Sequence, residues 1–89
     1  AILINTARGA LVVEDDLLAA IKSGHLAAAG LDCFAVEPGG NPAFAEHQNI
    51  FMLPHIGSAT RETRDAMGFR ALENIDAYFR GEEPGDRVA

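Results

Sequence analysis

An α/β fold built on a parallel sheet is what this sequence predicts, and three observations carry the expectation. Apolar segments at 1–4, 26–31 and 50–53 have the length and residue content of buried strands. Between and after them, 14–22 and 60–80 place apolar residues at helical spacing. The resulting order is strand, helix, strand, loop, strand, helix. Each strand also runs straight into a polar cluster, at Asn5–Thr6–Ala7–Arg8, at Asp32 and at His55.

The first strand is expected over Ala1–Ile4, closed by the glycine-containing turn Asn5–Gly9. A second apolar stretch, Ala10–Val13, meets Glu14, Asp15 and Asp16, acids that favour a helix N-terminus through the macrodipole. That helix carries Leu17, Leu18, Ala20 and Ile21 inward, has Lys22 in its last turn and stops at Gly24. The second strand, Leu26–Leu31, is rich in small residues that would let a helix pack closely, and it ends at Asp32. Pro38, Gly39, Gly40, Asn41 and Pro42 make 37–49 a loop, with a helical turn near Phe44–His47. Ile50–Leu53 is the third strand, ended by Pro54–His55. Ser58 or Thr60 caps a long helix to about Arg80, stopped by Gly81, with Met67, Ala71, Leu72, Ile75 and Phe79 as its apolar stripe.

With 89 residues the chain makes at most one small domain. Three buried strands make too small a sheet to stand alone, and the opening Ala-Ile-Leu-Ile reads as the inside of a strand. A piece of something longer is therefore expected.

Charge and cysteine content exclude several function classes. The net charge of -6 and the scattering of seven basic residues argue against nucleic acid, which needs clustered Lys and Arg. No apolar run approaches the roughly 20 residues of a membrane span, and no basic leader precedes a cleavage site. Cys33 is the single cysteine, so it supports neither an internal disulfide nor a metal site of its own. It reads as buried packing in a reducing, cytoplasmic setting, with no metal expected. His25 follows a helix-ending glycine and His47 sits in a polar loop, so both read as surface residues.

Ligands of open α/β sheets sit beyond the carboxyl ends of the strands. Arg8, Asp32, Glu37 and His55 all fall at or just past such ends, so a cation, two carboxylates and an imidazole share one rim. The segments that hold them are Ile4-Asn5-Thr6-Ala7-Arg8-Gly9, Gly30-Leu31-Asp32-Cys33-Phe34 with Glu37-Pro38, and Pro54-His55-Ile56-Gly57-Ser58-Ala59-Thr60. In order and spacing they resemble three successive motifs of the D-isomer-specific 2-hydroxyacid dehydrogenases. The likeness covers nearly the whole chain. It departs at Cys33, where that family usually has an aliphatic residue.

The resemblance implies a Rossmann-type, doubly wound parallel sheet, of which residues 1–89 supply the C-terminal half of the NAD(P)-binding domain. Residues 60–81 would be a long helix returning toward a substrate domain outside this segment. It implies that Arg8 grips the carboxylate and keto oxygen of a 2-keto acid, that His55 donates the proton in reduction, and that Glu37 hydrogen-bonds His55. Thr6, Ala7, Arg8, Asp32, His55 and Gly57 would border the cofactor, NAD or NADP, with Asp32 on the nicotinamide carboxamide. Physical chemistry agrees with these roles. A guanidinium fork meets a planar carboxylate and a carbonyl together, and imidazole titrates near neutrality. A neighbouring carboxylate stabilises the imidazolium and orients the ring.

No Gly-x-Gly-x-x-Gly fingerprint occurs here; in the family it lies upstream. The 89-residue piece alone is thus expected to be inactive and to bind cofactor poorly. Glyoxylate or hydroxypyruvate is the substrate the resemblance suggests, for a full-length enzyme acting as a homodimer. Glu37 counts against the formate dehydrogenase branch, which pairs its histidine with glutamine. Two other classes remain open at this point. One is a dehydrogenase-like corepressor that keeps the same three residues, and the other is an inert structural segment that dimerises through its helix.

Overall fold

Strands β1 (Ile2–Asn5), β2 (Ala28–Leu31) and β3 (Ile50–Met52) form one parallel sheet in the order β1-β2-β3. Ile2 stands opposite Ala28 and Asn5 opposite Leu31, while Ala29 stands opposite Ile50 and Leu31 opposite Met52. The register brings the three carboxyl ends to one edge. The computed structural model describes residues 1–89 as two compact units, 1–57 and 58–89.

In the first unit, helix α1 (Glu14–Lys22) makes the crossover between β1 and β2. Acids fill its first turn, Lys22 its last, and Gly24 follows at φ 77, as the sequence leads one to expect. Leu17, Leu18 and Ile21 project from one stripe onto Ala29, Leu31 and Ile50, and Leu3, Val12 and Leu26 complete the margin. Ala20, also assigned to that inward face, is only half-buried. The link from β2 to β3 contains a short 3-10 helix, Pro42–Glu46, whose Phe44 is fully buried against the same core. Asn41 caps it, its side-chain oxygen accepting from the Ala43 N–H at 3.0 Å.

Several expected boundaries shift. β1 starts one residue later and takes in Asn5, because Asp32 donates its N–H to the Asn5 carbonyl and extends the pairing. β2 begins at Ala28, not Leu26, since the Leu26 N–H is drawn onto the Ala20 carbonyl. β3 stops at Met52. The apolar stretch 10–13 contributes to a 3-10 turn over Gly9–Leu11.

The strands are also buried on one face only. Alternation along β1 puts Leu3 and Asn5 toward α1 and leaves Ile2 and Ile4 66% and 67% exposed, and Phe51 of β3 is likewise exposed. Gly30 serves that outer face: a Cβ there would meet Ile4 Cδ1 at 2.9 Å, so the missing side chain makes room for a neighbouring strand residue, while Ala29 on the inner face is the small residue against which α1 packs.

The second unit is helix α2 (Arg61–Phe79) with its tail. Thr60 Oγ1 accepts from the Thr63 N–H, Arg80 forms the C-cap and Gly81 turns the chain at φ 76. The tail returns onto the helix through Asp86, whose carboxylate accepts from Arg70 Nε and Nη2 and from Asn74 Nδ2. Arg70 beside it pulls the Asp86 carboxyl down to about 2. No residue of α2 is buried, and its stripe of Met67, Leu72, Ile75 and Phe79 faces outward.

Gly9 is the tightest point of the fold. A Cβ there would lie 2.0 Å from the Phe34 carbonyl carbon and 2.5 Å from Ala35 N, both backbone atoms that have no rotamer by which to retreat. Gly9→Ala should therefore cost the upper end of the overpacking range, about 3 kcal/mol or more. Denaturant unfolding of the protein that carries this domain measures it, and a loss under about 0.5 kcal/mol, the size of an ordinary surface change, would contradict the contact.

Candidate active site

Asn5 shapes the first arm of the site. Buried at the end of β1, its Oδ1 accepts from the Ala7 N–H at 3.1 Å and its Nδ2 donates to the Arg8 carbonyl at 2.9 Å. That side chain folds residues 5–8 into a tight turn. Thr6, Ala7 and Arg8 are consequently exposed past the strand end. The Arg8 guanidinium rests on its own backbone, Nη1 donating to the Ala7 carbonyl at 2.7 Å. It makes no ion pair with a carboxylate of the chain, yet its charge reaches Glu37 and contributes to lowering that carboxyl.

The second arm leaves β2 through Asp32, which is 4% exposed. A buried carboxylate needs donors. Asp32 has two: the Ile56 N–H reaches Oδ1 at 2.8 Å and the Gly57 N–H reaches Oδ2 at 2.6 Å. Asp32 thus ties the end of the middle strand to the turn after β3. Cys33 beside it is buried as expected, its Sγ 3.7 Å from the Asn5 carbonyl.

His55 lies on the third arm with φ 58, a left-handed conformation uncommon outside glycine. The two N–H groups that Asp32 accepts are those of the next two residues, so the carboxylate holds the strained turn in place. At Gly57 a Cβ would stand 2.9 Å from Asp32 Oδ2, and glycine is what admits so close an approach.

The loop after Phe34 brings Glu37 across to this turn. Its Oε2 lies 2.5 Å from His55 Nδ1, and its Oε1 accepts from the Phe34 N–H at 2.7 Å. The bond to His55 comes first among the causes that hold the Glu37 carboxyl below its ordinary value of 4.5, with the Phe34 amide second. Glu37 is then a carboxylate throughout the neutral range. With Nδ1 engaged, Nε2 is the ring nitrogen left to meet a ligand. The pair opens onto a cleft of about 600 Å³, lined on its other sides by Phe34, Asn41, Met52 and Leu53.

Of the residues singled out by sequence, Glu37 and His55 meet directly, Arg8 sits within electrostatic range, and Thr6, Ala7, Asp32 and Gly57 belong to the same three strand ends. His25 is exposed as expected and His47 half-buried. No group of His, Cys, Asp and Glu is arranged to hold a metal ion. Sequence reasoning missed two duties. Asp32 builds the turn after β3, and Glu14, read only as a first-turn acid, accepts from the Ala35 N–H at 2.9 Å and from Asn41 Nδ2 at 2.8 Å. Both sets of partners lie more than 20 residues further along, where no local pattern reports them.

Residues 1–57 match the family model described as D-isomer specific 2-hydroxyacid dehydrogenase, NAD binding domain. The chain is 46% identical over 88 residues to the glyoxylate reductase of Thermococcus litoralis, covering 99% of this chain and 27% of that protein. It is 47% identical over 81 residues to the glycerate dehydrogenase of Hyphomicrobium methylovorum, covering 91% of this chain and 25% of that one. Among solved structures, the NADPH-dependent glyoxylate/hydroxypyruvate reductase of Sinorhizobium meliloti in complex with NADP and malonate superposes with a TM-score of 0.88 at 39% identity. That match covers 100% of this chain and 28% of the other. The chain thus spans about a quarter of the length of the relatives it matches. Family model, relatives and fold agree with one another, and the chain belongs to the D-isomer specific 2-hydroxyacid dehydrogenases, with residues 1–57 matching their NAD-binding domain.

Proposed function

We propose that the protein containing this chain interconverts a small 2-keto acid and its D-2-hydroxy acid with NAD or NADP, His55 exchanging the proton. One observation carries this reading: the Glu37 carboxylate on His55 Nδ1, which leaves Nε2 at the strand edge that also bears Arg8. Glyoxylate and hydroxypyruvate are the proposed substrates, since reductases of these acids are among the relatives.

The residues present suit a nicotinamide. Thr6 and Ala7 offer exposed backbone past β1, and Gly57 presents a bare backbone beside the acid–base pair. Asp32 faces the same edge, and its oxygens keep lone pairs beyond those given to the two amides. When bound and reduced, the cofactor supplies the hydride. Arg8 would swing from the Ala7 carbonyl onto the substrate, its fork fixing the carboxylate and polarising the keto oxygen. The imidazolium of His55 then gives its Nε2 proton to the oxygen as the C–H bond forms, and Glu37 compensates its charge before transfer. In oxidation the neutral ring takes that proton back at Nε2.

The relatives are about four times this length, and in this reading the remainder of the protein supplies the substrate domain, toward which α2 with its exposed Met67, Leu72, Ile75 and Phe79 would return. A homodimer is the proposed assembly. No helix is long and apolar enough to cross a membrane, and a free buried Cys33 thiol suits the proposed cytoplasmic setting. The corepressor reading is separated from this one by turnover of the full protein. An 89-residue piece titrated with NADH should show no saturable micromolar binding.

In the full-length protein His55→Ala should lower kcat by a factor on the order of 10² to 10⁴, and near-normal steady-state rates would overturn the assignment. Arg8→Ala should mainly raise KM for the keto acid while also slowing turnover. Because the Glu37 carboxyl is held below 4.5, its charge on His55 persists above that value and is lost only as pH falls further, toward the lowered value. Glu37→Gln should therefore displace the kcat–pH profile between about pH 5 and 9 and not merely scale it; a profile of unchanged shape would separate Glu37 from the proton transfer. Asp32→Ala leaves two amides without their acceptor and should cost about 1–3 kcal/mol in chemical denaturation, together with a loss of kcat. Full stability and activity in that variant would show the turn after β3 to be self-supporting.

A further inference from the structure

Glu37 stands on a loop, and an acid–base pair is only as well placed as the loop that holds it. The first stem of that loop runs beneath Gly9, whose backbone presses on Phe34 and Ala35. Its tip, Val36 to Gly40, closes on itself through the Gly40 N–H to the Val36 carbonyl at 3.0 Å. Two left-handed glycines, Gly39 and Gly40, give it little stiffness of its own.

Glu14 joins the two stems. It is the first residue of α1, directly after an N-cap, Val13, that has no side-chain cap. Its carboxylate nevertheless leaves its own helix for the loop: Oε1 accepts from the Ala35 N–H and Oε2 from Asn41 Nδ2. The Asn41 side chain is itself committed, because its Oδ1 starts the 3-10 helix that buries Phe44. One half-buried carboxylate thus links a core helix to both ends of the segment 35–41 that carries Glu37. We propose that Glu14 is a positioning residue for the Glu37–His55 pair: it touches neither substrate nor cofactor, and it fixes Glu37 by clasping Ala35 and Asn41. The proposal rests on the proton-transfer reading of His55 given above.

The polarity of the clasp supplies its test. In E14Q the amide can still accept from the Ala35 N–H but turns a donor toward the donor of Asn41. In N41D two carboxylates face each other. The double variant E14Q/N41D restores a donor–acceptor pair in the opposite sense and keeps an oxygen for Ala43. In the full-length protein Glu14→Ala should lower kcat about tenfold, the loss of charge-assisted hydrogen bonds that orient one partner. Its pH profile should move in the direction that Glu37→Gln moves it, and the dissociation constant for NAD(P)H should change less than about twofold. E14Q and N41D should each be impaired and the double variant restored to within about threefold of wild type, with thermal midpoints recorded for all. Wild-type rates and profile in Glu14→Ala overturn the proposal. So does a lowered kcat with an unmoved profile, or failure of the double variant to improve on the worse single, whether or not the singles unfold. His55→Ala is measured beside them. Normal activity there sinks the proton-transfer reading itself, whereas a crippled His55→Ala with an indifferent Glu14→Ala sinks only the role of Glu14.

Discussion

A carboxylate buried at the end of a central strand has to find hydrogen-bond donors, and the arrangement of this site follows from where Asp32 finds them. The amides of Ile56 and Gly57 are the only backbone donors that reach its two oxygens. Accepting both fixes the chain just after His55, a residue that on its own would avoid φ 58. The middle strand thereby dictates the direction in which the imidazole leaves the third strand. Without that constraint the parallel sheet would still bring three carboxyl ends together, but it would not aim the side chain.

The same device recurs around the site. Asp32 joins β2 to the turn after β3, Glu37 joins the Phe34 amide to His55, and Glu14 joins α1 to Ala35 and Asn41. Asn5 plays the uncharged version, folding its strand end so that Arg8 emerges on the same side. Each side chain uses two polar atoms on two partners, which leaves little rotational freedom to any of them. Preorganisation of this kind matters most for proton transfer, where a misplaced donor forfeits rate even if the ligand still binds.

Apolar packing contributes the frame and no chemistry. Leu17, Leu18 and Ile21 of α1, with Phe44, cover one face of the sheet, and this holds the strands in the register that aligns their ends. The opposite face carries Ile2, Ile4 and Phe51 in the open, and α2 displays its own apolar stripe. Such surfaces suit a chain that corresponds to about a quarter of its relatives, within a family whose NAD-binding domain is a doubly wound sheet.

With the cap of α2 left open between Ser58 and Thr60, the sequence by itself determined the order of elements, the inward placement of Leu17, Leu18 and Ile21 on α1, the stop at Gly81, and the residues that gather at the sheet edge. These follow from periodicity, from glycine and acid placement, and from motif spacing, all of which are local along the chain. It gave strand limits only to within a residue or two, because Asn5 joins β1 through an amide 27 positions away and Leu26 is drawn out of β2 by α1. Tertiary structure decided the rest. Only folding reveals that Gly9 lies against the Phe34 backbone, that Glu14 reaches Asn41, and that Asp32 sets the turn bearing His55. Those contacts join residues 24 to 27 positions apart, and no local preference encodes which of many polar side chains will meet once the strands align.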